Sequence, residues 1–442
     1  MYPEDIQKLL DKQGIKAGDL VKIKLHGREF EGTLMPKPES GSKDSIILKF
    51  ANGYNVGLKM DAGFRIEKIR SQPAIAFPSG SLHFKPALSK VEMIYTGGTI
   101  GSKIDYLTGG VHMLTKPDEL LYDVPELAEI AEIRVNNLMS IASEDISYME
   151  WQKIAKSAAD ALNKDAEGVI ITMGTDTMHY TSAALSFMLN NLNAPVVITG
   201  AQRSSDRGSS DAFTNLISAA YLASSSNIAE VGICMHTGTS DNEWGFLRGT
   251  KVRKMHTTRR DAFKPVNSRP IATVDGKGRI RYISEYKKVD DERADAKVNA
   301  VTKFEPKVAL HKVYPNSSPE LLDYYVEKGY MGVILEVTGM GHAPVSTKHA
   351  EYNWLGNIKK AVDAGTIIGI TSQCLYGRVN SMVYRNARLM SSAGAIYCED
   401  MLPEVAYVKL GFLLGNYSKE KSGELLGKDI SGEITKRSEI EV

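Results

Sequence analysis

The segment Gly168-Val-Ile-Ile-Thr-Met-Gly-Thr-Asp-Thr177 joins a continuous apolar run to a loop of glycine, threonine and aspartate. Continuous apolar runs are typical of strands that are buried on both faces, as in parallel sheets. Further runs of this kind occur at Val91–Tyr95, Val196–Thr199, Val231–Met235, Gly332–Val337 and Ile367–Ile370. Helical patterns lie between them, as at residues 149–162 and 181–192. The sequence therefore predicts a doubly wound α/β fold, in which ligands bind at the carboxyl ends of the strands.

The regions outside these runs predict the domain organisation. Short alternating apolar runs separated by glycines begin near residue 16 and predict a small antiparallel β-barrel, of the SH3-like type, ahead of the α/β core. A segment rich in proline and serine follows the barrel and has the composition of a linker. We expect a barrel domain (1–75), a linker (76–90), an α/β domain with the active site (91–300), a second α/β domain (301–415) and a charged tail (416–442).

The composition excludes several classes of protein. The 442 residues contain 54 Lys and Arg against 53 Asp and Glu, a net charge of +1, which argues against binding nucleic acid by electrostatics alone. The cysteines Cys234, Cys374 and Cys398 form no CxxC pair, so neither a disulfide framework nor a thiolate metal site is expected. With no signal-peptide pattern and no apolar stretch of about 20 residues, we expect a cytoplasmic protein.

Two of the loops that follow predicted strands contain threonines. In Thr96-Gly-Gly-Thr-Ile-Gly101, adjacent glycines let backbone N–H groups approach a ligand, although a plain strand-to-helix turn explains them equally well. In residues 173–177, Asp176 lies between Thr175 and Thr177. Asp176 either caps the next helix or lies beside the Thr175 hydroxyl in a cleft.

Two further segments carry charged side chains. Ser143-Glu144-Asp145 precedes a predicted helix, and its side chains are suited either to capping or to binding an ammonium or carboxylate group. The segment 247–264 contains seven basic residues and the single acid Asp261. It is either a solvated surface loop or the source of one active-site lysine, Lys254, placed against Asp176.

The possible chemistries narrow to a threonine nucleophile. The histidines show no HExxH or other metal-ligand spacing, and no GxSxG motif is present. A threonine hydroxyl is inert at its own pKa and needs a neighbouring base. A lysine whose pKa is lowered by burial and which is oriented by an aspartate serves this purpose.

These segments give the chain a family resemblance. From about residue 91 to 415 it resembles the L-asparaginase amidohydrolases, an α/β family with a two-domain core. The matching positions are TGGTI at 96–100, SED at 143–145, GTDTM at 174–178, GAQR at 200–203 with Asp211 and Asn215, Lys254 with Phe263-Lys264, Asn267 and Pro270, and Ser372–Leu375. With the N-terminal barrel included, the whole chain is similar to the D-type subunits of the archaeal glutamyl-tRNA(Gln) amidotransferases.

The second resemblance implies an assembly. In that family the D-type chain supplies ammonia by hydrolysing glutamine or asparagine, and a partner, the E-type chain, activates the misacylated Glu-tRNA(Gln). The resemblance implies a homodimer of this chain within a heterotetramer. It places no cofactor in this chain, and it places ATP and magnesium in the partner. Because the barrel carries little charge, we expect it to contact protein rather than tRNA.

The resemblance also implies the roles of single residues. It assigns catalysis to Thr99 as the nucleophile and to Thr175, Asp176 and Lys254 as a second set that relays protons. It assigns binding of the amide donor to Ser143, Glu144, Gly98, Gly174 and the lid residue Tyr106. Glu144 departs from the glutamine of many bacterial enzymes, and their cross-subunit glutamate has no match near residues 372–385.

Two other functions stay open at this point. A stand-alone cytosolic L-asparaginase with an accessory N-terminal domain would share the same core. A scaffold that binds without catalysis would share the fold, although the complete set of threonine, aspartate and lysine argues against it.

Overall fold

The computed structural model describes residues 2, 4–35, 44–50, 55–61, 63–71, 87–98, 100, 102–104, 111–113, 124–203, 209–290 and 296–437. Within these ranges lie a small N-terminal antiparallel sheet, a large central sheet and a second parallel sheet. None of the helices in these ranges is both long and apolar enough to cross a membrane.

The N-terminal region consists of helix α1 (Glu4–Lys12) and five antiparallel strands in the order β4-β3-β2-β1-β5. The strands are β1 (Leu20–Leu25), β2 (Arg28–Met35), β3 (Ser45–Lys49), β4 (Asn55–Lys59) and β5 (Arg65–Arg70). Val21, Ile23 and Leu25 alternate with more exposed residues and are buried, as the period of two along a strand requires. The strand-rich N-terminal region predicted from the sequence is therefore present.

The central sheet has eight strands in the order β18-β17-β14-β13-β12-β10-β6-β9. Neighbouring strands from β9 to β13 pair in parallel, and β14, β17 and β18 pair antiparallel. The strands are β6 (Lys90–Tyr95), β9 (Glu132–Asn137), β10 (Gly168–Thr172), β12 (Val196–Thr199), β13 (Val231–His236), β14 (Glu243–Arg248), β17 (Ala272–Asp275) and β18 (Ile280–Tyr282). Every residue of β10, β12 and β13 is buried, so the α/β architecture predicted from the apolar runs is confirmed.

Short elements complete the first α/β unit. They are the strand pairs β7 (Ser102–Ile104) with β8 (Val111–Met113), β11 (Leu189–Asn190) with β19 (Asn299–Ala300) and β15 (Val252–Lys254) with β16 (Phe263–Pro265). Its helices are α2 (Leu127–Ile130), α3 (Tyr148–Lys164), α4 (Met178–Met188) and α5 (Ala212–Ser225). The helix expected over 181–192 ends earlier, because residues 189–190 leave it to pair with β19.

The second α/β unit is a parallel sheet in the order β20-β21-β22-β23. Its strands are β20 (Val308–Lys312), β21 (Gly332–Val337), β22 (Ile367–Ser372) and β23 (Ile396–Tyr397). Its helices are α6 (Glu320–Glu327), α7 (Trp354–Asp363), α8 (Arg385–Ser392) and α9 (Pro403–Asn416). Helix α9 packs against α4 of the first unit, and both helices contribute to one core cluster.

The tail contains helix α10 (Lys419–Leu426) and then the segment 427–437, which we call the C-terminal strap. Lys409 Nζ lies 2.6 Å from Glu433 Oε1, and both side chains are fully buried. Ser431 Oγ donates a hydrogen bond to the carbonyl of Ser186 at 2.8 Å. The strap thus contacts both α/β units.

Candidate active site

Thr175 lies at the carboxyl end of β10, in the short loop before α4. It is buried, with 7% of its surface exposed. Thr177 takes the N-cap position of α4 without a side-chain hydrogen bond, so Asp176 does not cap this helix. The interpretation of Asp176 as only a helix cap is therefore wrong.

Lys254 approaches this loop from the β15–β16 hairpin. Its Nζ donates hydrogen bonds to Thr175 Oγ1 at 2.8 Å and to Asp176 Oδ1 at 2.6 Å. The side chain of Lys254 is 10% exposed, whereas that of Asp176 is 68% exposed. A mostly buried amine thus lies between a buried hydroxyl and a carboxylate that is open to water.

The first threonine loop rests directly on the second. Gly98 has a φ of +89°, and a Cβ added to it would lie 2.2 Å from the backbone nitrogen of Gly174. Only glycine fits such an approach between two backbones. The residue before Thr99 therefore touches the residue before Thr175, while Thr99 itself and Tyr106 lie outside the described residues.

Ser143 lies beside the same contact. It begins a short 3₁₀ helix (Ser143–Asp145) and is 3% exposed. A Cβ added to Gly174 would lie 2.8 Å from Ser143 Oγ, and Thr177 Oγ1 donates a hydrogen bond to the Ser143 carbonyl at 2.6 Å. Glu144 follows Ser143 and is exposed. The capping role weighed for this segment belongs instead to Ser147, which forms a capping box with Glu150.

The loop that contains Gly200 packs against the methyl group of Thr175. A Cβ on Gly200 would lie 3.2 Å from Thr175 Cγ2. Asn215 donates a hydrogen bond to the Gly200 carbonyl at 2.9 Å, and Asp211 accepts hydrogen bonds from the backbone N–H groups of Gln202 and Arg203. Asp211 and Asn215 are fully buried, so this hydrogen-bond network holds the Gly200 loop in place against Thr175.

The seven lysines and arginines of the basic segment all have carboxylate partners. The pairs are Arg248–Glu230, Lys251–Asp400, Arg253–Glu404, Lys254–Asp176, Arg259–Asp261, Arg260–Asp241 and Lys264–Asp261. Burial acts to raise the pKa of Asp261, but hydrogen bonds from Arg259 and Lys264 outweigh it and lower this pKa to about 2. Lys254 thus lies against Asp176, as the second alternative for the segment predicted, while residues 256–259 are exposed.

His179 is a neighbour of the site that the sequence analysis missed. It follows Thr175 by about one helical turn, and its Nδ1 is buried without a hydrogen-bond partner in the described part of the chain. Burial, followed by the nearby Arg253 and Lys254 cations, lowers the pKa of His179 to about 4, so the ring is neutral near pH 7. The separation of about one helical turn between Thr175 and His179 is the sequence feature that could have pointed to it. No such sequence feature pointed to Glu404, the buried partner of Arg253, because it lies far from Arg253 in the sequence.

The described residues offer no metal site. No group of three or more His, Cys, Asp or Glu side chains in these ranges is placed to hold a metal ion. The site that they form consists of hydroxyl groups, one amine, one carboxylate and closely packed backbone.

Family models match three parts of the chain. Residues 90–287 match the model "Asparaginase, N-terminal", and residues 307–424 match "Glutaminase/Asparaginase C-terminal domain". Residues 15–69 match "GatD N-terminal domain".

Full-length relatives decide the family. A D-type subunit of glutamyl-tRNA(Gln) amidotransferase from Thermococcus kodakarensis is 46% identical over 439 residues, which cover 97% of each chain. The corresponding protein from Methanopyrus kandleri is 44% identical, with 98% of this chain and 94% of that protein covered. The chain belongs to the family of D-type subunits of glutamyl-tRNA(Gln) amidotransferase.

The α/β part of this amidotransferase family member also matches solved L-asparaginases. A thermostable L-asparaginase from Thermococcus kodakarensis gives a TM-score of 0.68 at 28% identity, covering 79% of this chain and all of that one. L-asparaginase I from Vibrio cholerae gives 0.67 at 29% identity, also over 79% of this chain. The D-type amidotransferase chain thus has an asparaginase-like α/β core, as the sequence motifs predicted.

Proposed function

We propose that this chain is the ammonia-generating subunit of an amidotransferase that converts Glu-tRNA(Gln) to Gln-tRNA(Gln). It would hydrolyse the side-chain amide of glutamine or asparagine and pass the ammonia to the E-type partner chain of the same amidotransferase. The contact of Lys254 with both Thr175 and Asp176, in a chain that belongs to the D-type family, is the observation that carries this proposal.

The reaction is an acyl transfer in two steps. The Thr99 hydroxyl attacks the amide carbon, the C–N bond breaks, and ammonia leaves with a proton. Water then hydrolyses the ester, which frees the threonine and releases glutamate or aspartate. Thr175, Lys254 and Asp176 relay the protons, since their atoms lie within 2.8 Å of one another along the chain of hydrogen bonds.

The loops around Thr175 hold the donor. The backbone N–H groups next to Gly98 and Gly174 stabilise the oxyanion, a type of contact in which one donor is worth about 3 kcal/mol of barrier. Ser143 and Glu144 bind the α-carboxylate and α-amino groups of the donor, and Tyr106 closes over it as part of a lid. Ser143, buried against Gly174, and Glu144, exposed beside it, suit these two tasks.

The proposal extends to domains and assembly. We propose the division 1–75, 76–90, 91–300, 301–415 and 416–442, with the N-terminal sheet closed as an SH3-like barrel that contacts protein. Two copies of this chain pair within a heterotetramer with two partner chains. This chain holds no cofactor, and ATP and magnesium act in the partner. Because its relatives act on tRNA, we place the reaction in the cytoplasm.

A stand-alone L-asparaginase is not favoured. The solved asparaginases match only 79% of this chain at identities of 28% and 29%, whereas residues 15–69 match the N-terminal model of the D-type family. The N-terminal sheet is therefore the feature that distinguishes the amidotransferase subunit from a stand-alone L-asparaginase.

The test measures ammonia release from glutamine and asparagine by the chain alone, with its partner, and with its partner and Glu-tRNA(Gln). We expect turnover to depend on the partner and the charged tRNA, and Thr175→Val to abolish it. Thr172→Val is a matched control, since the buried Thr172 hydroxyl has no hydrogen-bond partner among the described residues. Strong turnover by the chain alone would favour a stand-alone L-asparaginase. Full activity of Thr175→Val would overturn the proposed catalytic site and favour a scaffold that binds without catalysis.

A further inference from the structure

One buried carboxylate lies between the two elements that bring Lys254 and Thr175 together. Glu404 is the second residue of α9 and is 2% exposed. Its Oε1 lies 3.2 Å from Nε of Arg253, the residue before Lys254 on β15. The same oxygen lies 3.9 Å from Nε2 of His179, which follows Thr175 by about one turn. Glu404 thus pairs with Arg253, the residue before Lys254, and approaches His179 on the helix that follows Thr175.

Some buried polar atoms of this cluster lack hydrogen bonds, which is unusual for a cluster with a purely structural role. Nδ1 of His179 has no hydrogen-bond partner in the described part of the chain, and Oε1 of Glu404 has its ion pair with Arg253 but no hydrogen bond. Leaving a buried nitrogen such as that of His179 without a partner costs about 1–3 kcal/mol, and well-packed apolar side chains are often at least as stabilising as a buried ion pair. A role in stability alone does not account for these polar groups.

The strand geometry shows what the contact controls. Successive side chains of a strand point to opposite faces, so Arg253 points toward the second α/β unit while Lys254 points toward Thr175. Lys251 is fully buried against Asp400 of the same unit at 2.7 Å. Two carboxylates of the second unit, Asp400 and Glu404, therefore hold alternate residues of the segment that carries Lys254.

We propose that Glu404 is a positioning residue for amide hydrolysis, which acts through Arg253 to hold β15 at the distance where Lys254 meets Thr175. This inference rests on the function proposed above. Catalysis depends steeply on such placement, since a shift of about 1 Å can cost on the order of 100-fold in rate. The second α/β unit thereby sets the geometry of a site whose reacting groups belong to the first.

The test uses Glu404→Gln in the complete complex with its partner and Glu-tRNA(Gln). The substitution keeps the shape of the side chain and removes its charge. We expect kcat to fall by roughly 10- to 100-fold, with KM and the unfolding midpoint close to those of the unsubstituted protein. Arg253→Gln should give the same loss, Arg253→Lys should restore part of it, and the double variant E404Q/R253Q should be no worse than either single variant, as expected for coupled residues.

Glu230→Gln is the matched control. It breaks the Arg248–Glu230 ion pair, which has a similarly buried glutamate and a 2.8 Å contact, but the hydrogen-bond partners of Glu230, Arg248 and Lys287, both belong to the first unit. We expect its kcat to stay unchanged. A second readout does not depend on activity: a crystal structure of Glu404→Gln should show the Lys254 Nζ to Thr175 Oγ1 distance lengthened from 2.8 Å.

The outcomes separate this inference from the proposed function. If Lys254→Met is inactive while Glu404→Gln has full activity, the positioning role is overturned and the proposed function stands. Activity retained by Lys254→Met would overturn the proposed function itself. Equal losses in Glu404→Gln and Glu230→Gln, or a loss that only follows the unfolded fraction, would assign Glu404 to stability alone.

Discussion

Lys251 and Lys254 lie on one short segment, and each pairs with an aspartate at nearly the same distance. Lys251 Nζ is 2.7 Å from Asp400 Oδ2, and both side chains are fully buried. Lys254 Nζ is 2.6 Å from Asp176 Oδ1, and the side chain of Asp176 is 68% exposed. The two ion pairs differ in their access to water rather than in their geometry.

That difference separates a structural pair from a reactive one. The Asp400 carboxylate also accepts hydrogen bonds from the backbone N–H and the hydroxyl of Thr435, so its oxygens are occupied. Burial lowers the pKa of Lys251, and Asp400 opposes the shift. Lys254 instead shares its protons with a threonine hydroxyl and with a carboxylate that water reaches. Proton transfer needs the second environment, whereas the first one fixes the two units.

The largest expected effect is on chemistry. Replacing Lys254 with Met should lower amide hydrolysis by about 10²- to 10⁴-fold, the usual contribution of a residue that transfers protons. The unfolding midpoint should change little, because Asp176 is well solvated without its partner. Initial rates of ammonia release and thermal unfolding measure the two quantities. Lys254→Arg is the control for charge. Activity of Lys254→Met within tenfold of that of the unsubstituted protein would contradict the assignment of Lys254–Asp176 as the reactive pair.

The buried pair should show the opposite pattern. Lys251→Met leaves Asp400 buried without its cation, and breaking such a pair costs about 3–5 kcal/mol. Denaturant unfolding should report this loss of stability. The double variant K251M/D400L should recover much of it, because no charge then stays buried. A cost below about 1 kcal/mol would show that Lys251–Asp400 behaves like a surface pair.

A pH effect should come from His179. Its pKa is about 4 in the folded protein against 6.5 for a free side chain, chiefly because of burial and then because of Arg253 and Lys254, while Asp176 opposes the shift. The unfolded state therefore binds more protons between these two values. Stability should be full above pH 6.5 and fall by up to about 3 kcal/mol as the pH drops to 4.

The measurement for His179 compares unfolding free energies at pH 7 and pH 4.5 for the natural chain and for His179→Gln. Other histidines, such as His236 and His311, have pKa values lowered by burial as well. Only the difference between the two proteins therefore reports on His179. Identical pH dependence in both would refute this assignment.

The smallest effect on stability should come from Asp176→Asn. Because the carboxylate is mostly exposed, its ion pair should contribute no more than about 1 kcal/mol to stability. We expect slower amide hydrolysis at an almost unchanged unfolding free energy. Loss of stability comparable with that of Lys251→Met would erase the distinction between the two pairs.

Local patterns predicted much of this molecule. The apolar run of β10 and the glycine–threonine loop after it place the chain correctly in the α/β class, because complete burial leaves no polar face on such strands. The glycines of the first threonine loop were predicted to let backbone N–H groups approach a ligand, whereas the contact that the structure shows at Gly98 is with the backbone of Gly174. The contact of Lys254 with Asp176 was weighed as one of two alternatives for its segment.

The rest depends on distant parts of the chain. Nothing near Arg253 indicates that its partner is Glu404, since that contact exists only when α9 packs on α4. The end of the helix at Met188 was missed because a two-residue pairing with Asn299–Ala300 replaces the last turn. In both cases long-range packing overrides a correct local preference.

The C-terminal strap has a consequence for how a donor enters. The strap contacts the first unit through Ser431 and the second through Glu433. A hinge motion that separated the two units would break at least one of these two contacts. The strap therefore opposes a hinge motion as a route for the amide donor and favours entry through the loops at the carboxyl ends of the strands.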